Sequence, residues 1–242
     1  MERQNVSGLL QAERTILRNE LLELKNCQVR YFSISIASTG LLTGLGIHLG
    51  HNGLSSIFFL SPLLIILPSW LIFFDKATTI TRIVGYCRIL ENVILEEITI
   101  SQNIIRYKYV GWENALALFR EKQQDEKKSI GRIAQFKSHL KDFRTGCIQL
   151  LTFRATHRYW TINWYTFFAL SVLCWALGSG LGNVQNFTAQ LFLSLSLWLS
   201  GILILCSVLY TLYIVGSLNH GLYSYNRNES LWRELLQVEN LQ

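Results

Sequence analysis

Residues 187–216 read FTAQLFLSLSLWLSGILILCSVLYTLYIVG and contain no Asp, Glu, Lys or Arg. A helix needs about 20 apolar residues to cross the hydrocarbon core of a bilayer. This stretch is longer, which predicts a span that tilts or continues into water as a helix. A helix of a soluble domain keeps a solvated, charged face, and this stretch has none. The sequence therefore predicts an integral membrane protein.

The stretch belongs to an uncharged run from Tyr159 to Asn226, and a second uncharged run extends from Tyr31 to Phe74. The runs are 68 and 44 residues long, so each can hold two spans. Gly50–Gly53 and Gly182–Asn186 place Gly and Asn, which tolerate tight reversals, near the middle of the runs. We predict spans at about residues 31–49, 54–74, 162–181 and 187–216, arranged as two hairpins, with Trp160 and Trp164 as interfacial anchors.

The basic residues indicate the orientation. All 22 Lys and Arg lie in residues 1–30, 75–158 and 227–242, and the two hairpin turns carry none. An even number of spans separates these segments, which puts them on one side, and the positive-inside rule makes that side cytoplasmic. We expect a bacterial inner membrane protein with both termini in the cytoplasm.

The chain is predicted to be all-α, with a cytoplasmic helical domain between the hairpins. In residues 1–30, seven apolar residues recur at three- and four-residue steps and predict an amphipathic helix: Leu9, Leu10, Ile16, Leu17, Leu21, Leu24 and Val29. This apolar stripe requires a partner, either another helix of the chain or a second copy. The predicted order is an amphipathic helix (1–30), a transmembrane hairpin (31–74), a basic cytoplasmic domain (75–158), a second hairpin (159–216) and a C-terminal helix (217–242).

Two features distinguish the second span and the helix after it. Pro62 and Pro68 each lack a backbone donor and are expected to kink the second span. From Asp75 to Ile98 a continuous apolar face predicts that the helix runs on from the span into the cytoplasm.

Four glycines are candidate helix-packing residues: Gly40, Gly44, Gly178 and Gly182. Each pair is spaced four residues apart, which lets helix backbones approach closely in lipid. The spacing is compatible with packing inside the hairpins and with contact between copies of the chain.

Four hydroxyl residues of the fourth span share one helix face: Ser196, Ser200, Ser207 and Thr211. One interpretation is a polar wall of a pore. The other is hydrogen bonding between helices, or from each hydroxyl back to its own helix.

The basic domain contains Arg106, Lys108 and Trp112 in the stretch RYKYVGW, at residues 106–112. Basic and aromatic side chains together suit anionic lipid headgroups or another ligand. The alternative is an ordinary corner between helices that Trp112 packs.

The sequence carries no motif that identifies a reaction. We predict no catalytic, cofactor-binding or metal-binding residue and expect no nucleic-acid partner. The five cysteines have no metal-ligand spacing. The layout of short hairpins with amphipathic helices resembles two-span membrane effectors of bacterial defence systems.

Three classes of function remain open. The first is a non-enzymatic homo-oligomer, acting as a scaffold or pore-forming effector through its cytoplasmic helices. The second is a passive channel or transporter for a small solute or ion, and the third is a membrane-embedded enzyme. Coupled transporters and intramembrane hydrolases usually depend on ionisable residues inside their spans. The uncharged spans therefore favour the first class, while a passive pore lined by hydroxyls stays compatible.

Overall fold

The computed structural model describes residues 2–48, 53–99, 115–116, 118–122, 132–152, 158–180, 187–220 and 223–236. These residues are helical apart from short turns, which confirms the all-α prediction. Positions 115–116 and 118–122 are also helical. The helices with defined bounds are α1 (Glu2–His48), α2 (Gly53–Leu60), α3 (Leu63–Thr99), α4 (Arg132–Thr152), α5 (Arg158–Gly180), α6 (Phe187–His220) and α7 (Tyr225–Leu235).

The second predicted span consists of two helices, because Pro62 interrupts it. Helix α2 ends at Leu60, and α3 begins just after the proline. The amide of Leu64 donates to the Ser61 carbonyl at 3.1 Å, and the amide of Ile66 donates to the Pro62 carbonyl at 2.8 Å. Proline offers no donor and so ends the preceding ladder, but it fits the first turn of the next helix. Pro68, in contrast, lies inside α3.

Two helices are much longer than a membrane span. Helix α3 has 37 residues and confirms that the second span continues as a helix through the charged residues after Phe74. Helix α1 has 47 residues, so the predicted amphipathic helix and the first predicted span form one uninterrupted helix.

Three helical stretches within the described residues are long and apolar enough to cross a membrane: Ser56–Glu91, Tyr159–Gly180 and Gln190–Leu218. They fit an integral membrane protein and correspond to the second, third and fourth predicted spans. The first predicted span, residues 31–49, is not among them. Eight of residues 31–48 are Ser, Thr or Gly, and these small residues dilute the apolar character of that part of α1.

The chain folds into two compact units, which we name by their composition. The charged unit comprises Met1–Lys25, Ala77–Thr145 and Gly216–Gln242. The apolar unit comprises Asn26–Lys76 and Gly146–Val215. The apolar unit contains five of the chain's Asp, Glu, Lys and Arg residues: Arg30, Asp75, Lys76, Arg154 and Arg158.

Candidate functional site

Aromatic side chains fill the core of the apolar unit. The Trp70 ring stacks nearly parallel on Phe167, with centroids 6.1 Å apart, and meets the edge of Trp164 at 5.9 Å. Phe73 adds an edge contact to Phe167 at 5.6 Å. All four side chains are buried. Trp164, which we predicted as an interfacial anchor, therefore packs α5 against α3.

The hydroxyls of the predicted polar face of α6 bond mainly to their own helix. Ser196 Oγ donates to the Leu193 carbonyl at 2.8 Å, and Ser200 Oγ donates to the Leu197 carbonyl at 3.0 Å. Back-bonding of this kind satisfies a hydroxyl in an apolar environment without any external partner. These two residues are half-buried.

The C-terminal part of the same face packs against α5. Ser207 and Thr211 are buried, and the Trp164 indole N–H donates to Thr211 Oγ1 at 2.8 Å. Thr211 in turn donates to the Ser207 carbonyl at 2.7 Å. The hydroxyl is thus both an acceptor from α5 and a donor to its own helix.

A second tryptophan of α5 makes the corresponding contact further along α6. The Trp175 indole N–H donates to the Leu197 carbonyl at 3.1 Å. Trp164 and Trp175 are eleven residues apart, which is close to three helical turns, so both can face α6. This spacing is a sequence signal for the α5–α6 pairing that the hydroxyl pattern alone did not reveal.

The predicted packing glycines differ in their surroundings. A Cβ added at Gly178 would lie 2.7 Å from Cδ2 of Leu60, so Gly178 permits close packing of α5 on α2. Among the described residues, no atom lies within 4 Å of a Cβ built at Gly40 or Gly44, so they leave this face of α1 open. Gly182 lies outside the described residues.

The structure also contains a buried polar seam between α1 and α5, which the sequence analysis missed. It consists of Ser35 and Thr39 on α1 with Ser171 and Cys174 on α5, all buried. The Thr39 hydroxyl and the Cys174 thiol are neighbours across the two helices. Thr39 Oγ1 donates to the Ser35 carbonyl at 2.7 Å. Ser35 and Thr39 are spaced by one turn, which is the signal that marks this seam in the sequence.

Two seryl hydroxyls of the apolar unit, Ser56 Oγ and Ser171 Oγ, are buried and form no hydrogen bond with the described residues. A buried hydroxyl without a partner costs free energy. These hydroxyls are therefore able to bond to water or to a small polar solute.

In the charged unit, the N-terminal apolar stripe packs against other helices of the same chain. Leu10 and Leu17 are fully buried in a cluster with Tyr86 of α3, Phe119 and Trp232 of α7. The Trp232 ring stacks on Phe119 with centroids 4.3 Å apart and meets Tyr86 at 5.0 Å. Trp232 also donates from its indole N–H to the Arg82 carbonyl at 3.2 Å. Both ends of the chain therefore share one core.

Ion pairs surround this core. Glu91 on α3 accepts from Arg14 at 2.8 Å and from Arg18 at 3.2 Å. Glu229 on α7 pairs with Arg88 at 3.4 Å. A further pair joins Lys122 to Glu234. These side chains are partly exposed, and pairs of this kind contribute about 0–1 kcal/mol each. They set the register of α1 and α7 more than they stabilise the unit.

The start of α7 is fixed by aromatic contacts and a cap. The Arg82 and Arg88 guanidinium groups lie 5.6 and 5.5 Å from the ring centroids of Tyr223 and Tyr225. Burial raises the pKa of the Tyr225 hydroxyl, and the nearby Arg88 partly opposes this shift. Ser224 Oγ caps the helix by accepting from the Arg227 amide.

The predicted patch of Arg106, Lys108 and Trp112 lies outside the described residues. Among the side chains that the structure describes, no three His, Cys, Asp or Glu residues are grouped closely enough to hold a metal ion.

In comparisons with protein-family models, curated proteins and solved structures, none matches this chain significantly.

Proposed function

We propose that this chain is a non-enzymatic, homo-oligomeric protein of a bacterial inner membrane, a scaffold or pore-forming effector that acts through its cytoplasmic helices. The observation that carries the proposal is the exposure of α6. In its most apolar stretch only 17% of the residues are buried, against 50% in Ser56–Glu91. A span with so little cover from its own chain offers its surface to lipid and to further copies.

The composition of the charged unit supports a four-span layout with both termini in the cytoplasm. Three separate segments, at the start, middle and end of the chain, pack into this one unit. A bilayer cannot divide a compact unit, so the three segments lie on one side of the membrane. Each apolar segment that connects two of them therefore crosses the membrane an even number of times. Since α2 and α3 supply one crossing in the first segment, residues 31–48 of α1 supply the other. The basic residues of 75–158 then face the anionic headgroups of the inner leaflet.

The spans contain none of the acidic or basic side chains that usually couple transport. Asp, Glu, Lys and Arg are absent from 31–74 and 159–216, and such residues usually carry proton or ion coupling. The hydroxyls of Ser196, Ser200 and Thr211 are engaged with backbone carbonyls of their own helix. These bonds favour a packing role for the polar face of α6.

Helices α1 and α3 contribute residues to both units without a break. In the proposed function, the cytoplasmic bundle of α1, α3 and α7 governs assembly, and the continuous helices pass a change in the bundle to the spans.

A passive channel for a small solute or ion is the second candidate. It is favoured by two buried hydroxyls, of Ser171 in the polar seam and of Ser56 on α2, which have no partner among the described residues. Hydroxyls can line a conduction path without any charged group.

The deciding experiment measures the mass and symmetry of the protein in lipid nanodiscs, together with ion flux through liposomes that contain it. The proposal expects an oligomer. An oligomer with a central axis and flux assigns the pore-forming role, and an oligomer without flux assigns the scaffold role. A monomer would overturn the proposal, and a monomer that conducts would establish the channel.

A further inference from the structure

Trp198 has an unusual position on α6. Its side chain is 75% exposed. It lies eight residues after Gln190, the first residue of the apolar stretch of α6, which corresponds to about 12 Å along the helix axis. This depth is well inside a hydrocarbon core that is ~30 Å thick. In a four-span protein, the indole therefore projects from within the span, whereas tryptophan is normally enriched at the membrane interfaces.

The indole N–H of Trp198 donates no hydrogen bond to the residues that the structure describes. The two tryptophans of α5 differ, since Trp164 donates to Thr211 and Trp175 donates to the Leu197 carbonyl. Lipid tails offer no acceptor, so an unpaired donor in hydrocarbon is unfavourable. The exposed ring therefore fits a protein surface that provides an acceptor better than it fits lipid.

Such a surface lies on α1 of the same chain. Gly40 and Gly44 leave a groove in which no atom of the described part of the chain lies within 4 Å of either Cβ position. The Thr43 hydroxyl beside the groove donates to the Thr39 carbonyl, which leaves the lone pairs of its oxygen as acceptors. Exposed Leu41 and Ile47 flank the groove.

The groove and Trp198 lie at the same level of the apolar unit. The rings of Phe32 on α1 and Phe167 on α5 are in contact, with centroids 5.6 Å apart, and Gly40 and Trp175 each lie eight residues further along their helices. The bond from Trp175 to the Leu197 carbonyl then aligns Trp175 with Trp198 on α6. Two copies of the chain side by side in one membrane therefore present the ring of one and the groove of the other at matching depth.

We propose that Trp198 of one copy inserts into the Gly40–Gly44 groove of the next copy, with its indole N–H donating to the Thr43 hydroxyl. The inference rests on the proposed homo-oligomer and names its contact. We infer a second copy as the occupant because every copy carries both parts of the contact. The indole N–H of Trp198 is the donor, the Thr43 hydroxyl beside the groove is the acceptor, and the two lie at the same depth. The two patches differ, so the contact is heterologous and propagates into a ring or a chain of copies.

The first test compares variants of the full chain in nanodiscs by native mass measurement. Trp198→Ala and Gly44→Leu are expected to abolish the oligomer, because one removes the ring and the other fills the groove. Trp198→Phe keeps an aromatic ring without the donor and is expected to shift the assembly towards smaller species. Phe192→Ala is the control, since Phe192 is also exposed on α6 but about a third of a turn away from Trp198 around the helix, and it should leave the mass unchanged.

The second test mixes two defective chains that carry different tags. A Trp198→Ala chain keeps its groove, and a Gly44→Leu chain keeps its tryptophan, so together they can form one intact contact. The proposal expects heterodimers that do not grow further, while each variant alone stays monomeric. If each single variant forms the same oligomer as the wild-type chain, this contact is overturned and the proposed function still stands. A monomeric wild-type chain would overturn both.

Discussion

The Gln28 side chain donates a 2.8 Å hydrogen bond to the backbone carbonyl of Phe73. Gln28 is buried on α1, and Phe73 lies on α3 just before the first charged residues that follow the span. A buried amide costs free energy unless it is paired, so this bond offsets the burial of Gln28 and joins the two helices at one level.

We expect Gln28→Leu to lower the free energy of unfolding by about 1 kcal/mol, because one buried hydrogen bond is lost. Gln28→Glu should cost more, since a buried carboxylate would face a carbonyl oxygen. Thermal unfolding in detergent measures both. Gln11→Leu on the exposed side of α1 is the control and should have little effect. Equal stability of all three variants would contradict a role for this bond.

The adjacent residues Ile16 and Leu17 test the packing of the N-terminal stripe. Leu17 is fully buried and Ile16 is 65% exposed. Leu17→Asp should lower the free energy of unfolding by about 3 kcal/mol or more, because it buries an unpaired carboxylate and loses apolar contact. Ile16→Asp should be nearly neutral. Similar unfolding temperatures for the two variants would show that the stripe is not part of the core.

Gly85 permits the C-terminal helix to approach α3. A Cβ at Gly85 would lie 3.1 Å from Cβ of Asn228 and 3.3 Å from backbone atoms of Asn228 and Glu229. Gly85→Ala should therefore destabilise the charged unit by about 1–3 kcal/mol through overpacking. The effect should appear as faster proteolysis of the C-terminal segment.

The control is Gly8→Ala, where nothing lies within 4 Å of the added Cβ. Because alanine favours a helix over glycine by about 1 kcal/mol, this variant should be neutral or more stable. If both alanine variants gain stability, α7 does not approach α3 as closely as the structure indicates.

Helical periodicity predicted which side chains would be buried better than it predicted their partners. The spacing identified Leu10 and Leu17 as buried. Three other members of the predicted stripe are exposed: Leu9, Ile16 and Val29. The contacts of the two buried leucines with Tyr86 and Trp232 depend on chain segments far away in sequence, so the pattern could not distinguish a partner helix from a second copy.

The glycine spacing likewise did not reveal which glycines have a close packing partner. Gly44 and Gly178 belong to identical four-residue patterns, yet only Gly178 has a close neighbour, Leu60. Residues 31–48 show the opposite case. Their missing charges predicted a span, but their Ser, Thr and Gly content makes them less apolar than the other three. A stretch without charged residues is therefore not always apolar enough to be a candidate span.

The proposed orientation predicts which sites a membrane-impermeant thiol reagent reaches in intact cells. In a chain whose natural cysteines are replaced, a cysteine at Asn52 or Gln185 should be labelled from outside. A cysteine at Lys127 or Glu239 should be labelled only after permeabilisation. If Lys127 is labelled in intact cells, the proposed orientation is wrong. If Asn52 is protected while Gln185 is labelled, the first hairpin does not cross the membrane.

Ser200 separates packing from pore lining on α6. Its hydroxyl bonds to the Leu197 carbonyl and lies near the middle of the span. Under the packing interpretation Ser200→Ala is nearly silent, because hydrogen bonds inside membranes average about 0.6 kcal/mol. Ser200→Asp should lower the expression level and the melting temperature, because a charge at the bilayer centre costs about 2.5–3.5 kcal/mol on insertion scales.

Under the pore interpretation, water reaches Ser200, and the aspartate is tolerated. Ser200→Asp would then express normally and make liposome flux selective for cations. Ser194→Asp is a suitable control, since Ser194 is on the exposed side of α6 and close to the face of Trp198. It therefore meets lipid or a neighbouring copy and not a water-filled path, so the variant should express poorly in either case. A well-expressed, cation-selective Ser200→Asp protein would replace the scaffold proposal with a channel, because only a water-filled path can solvate a carboxylate at that depth.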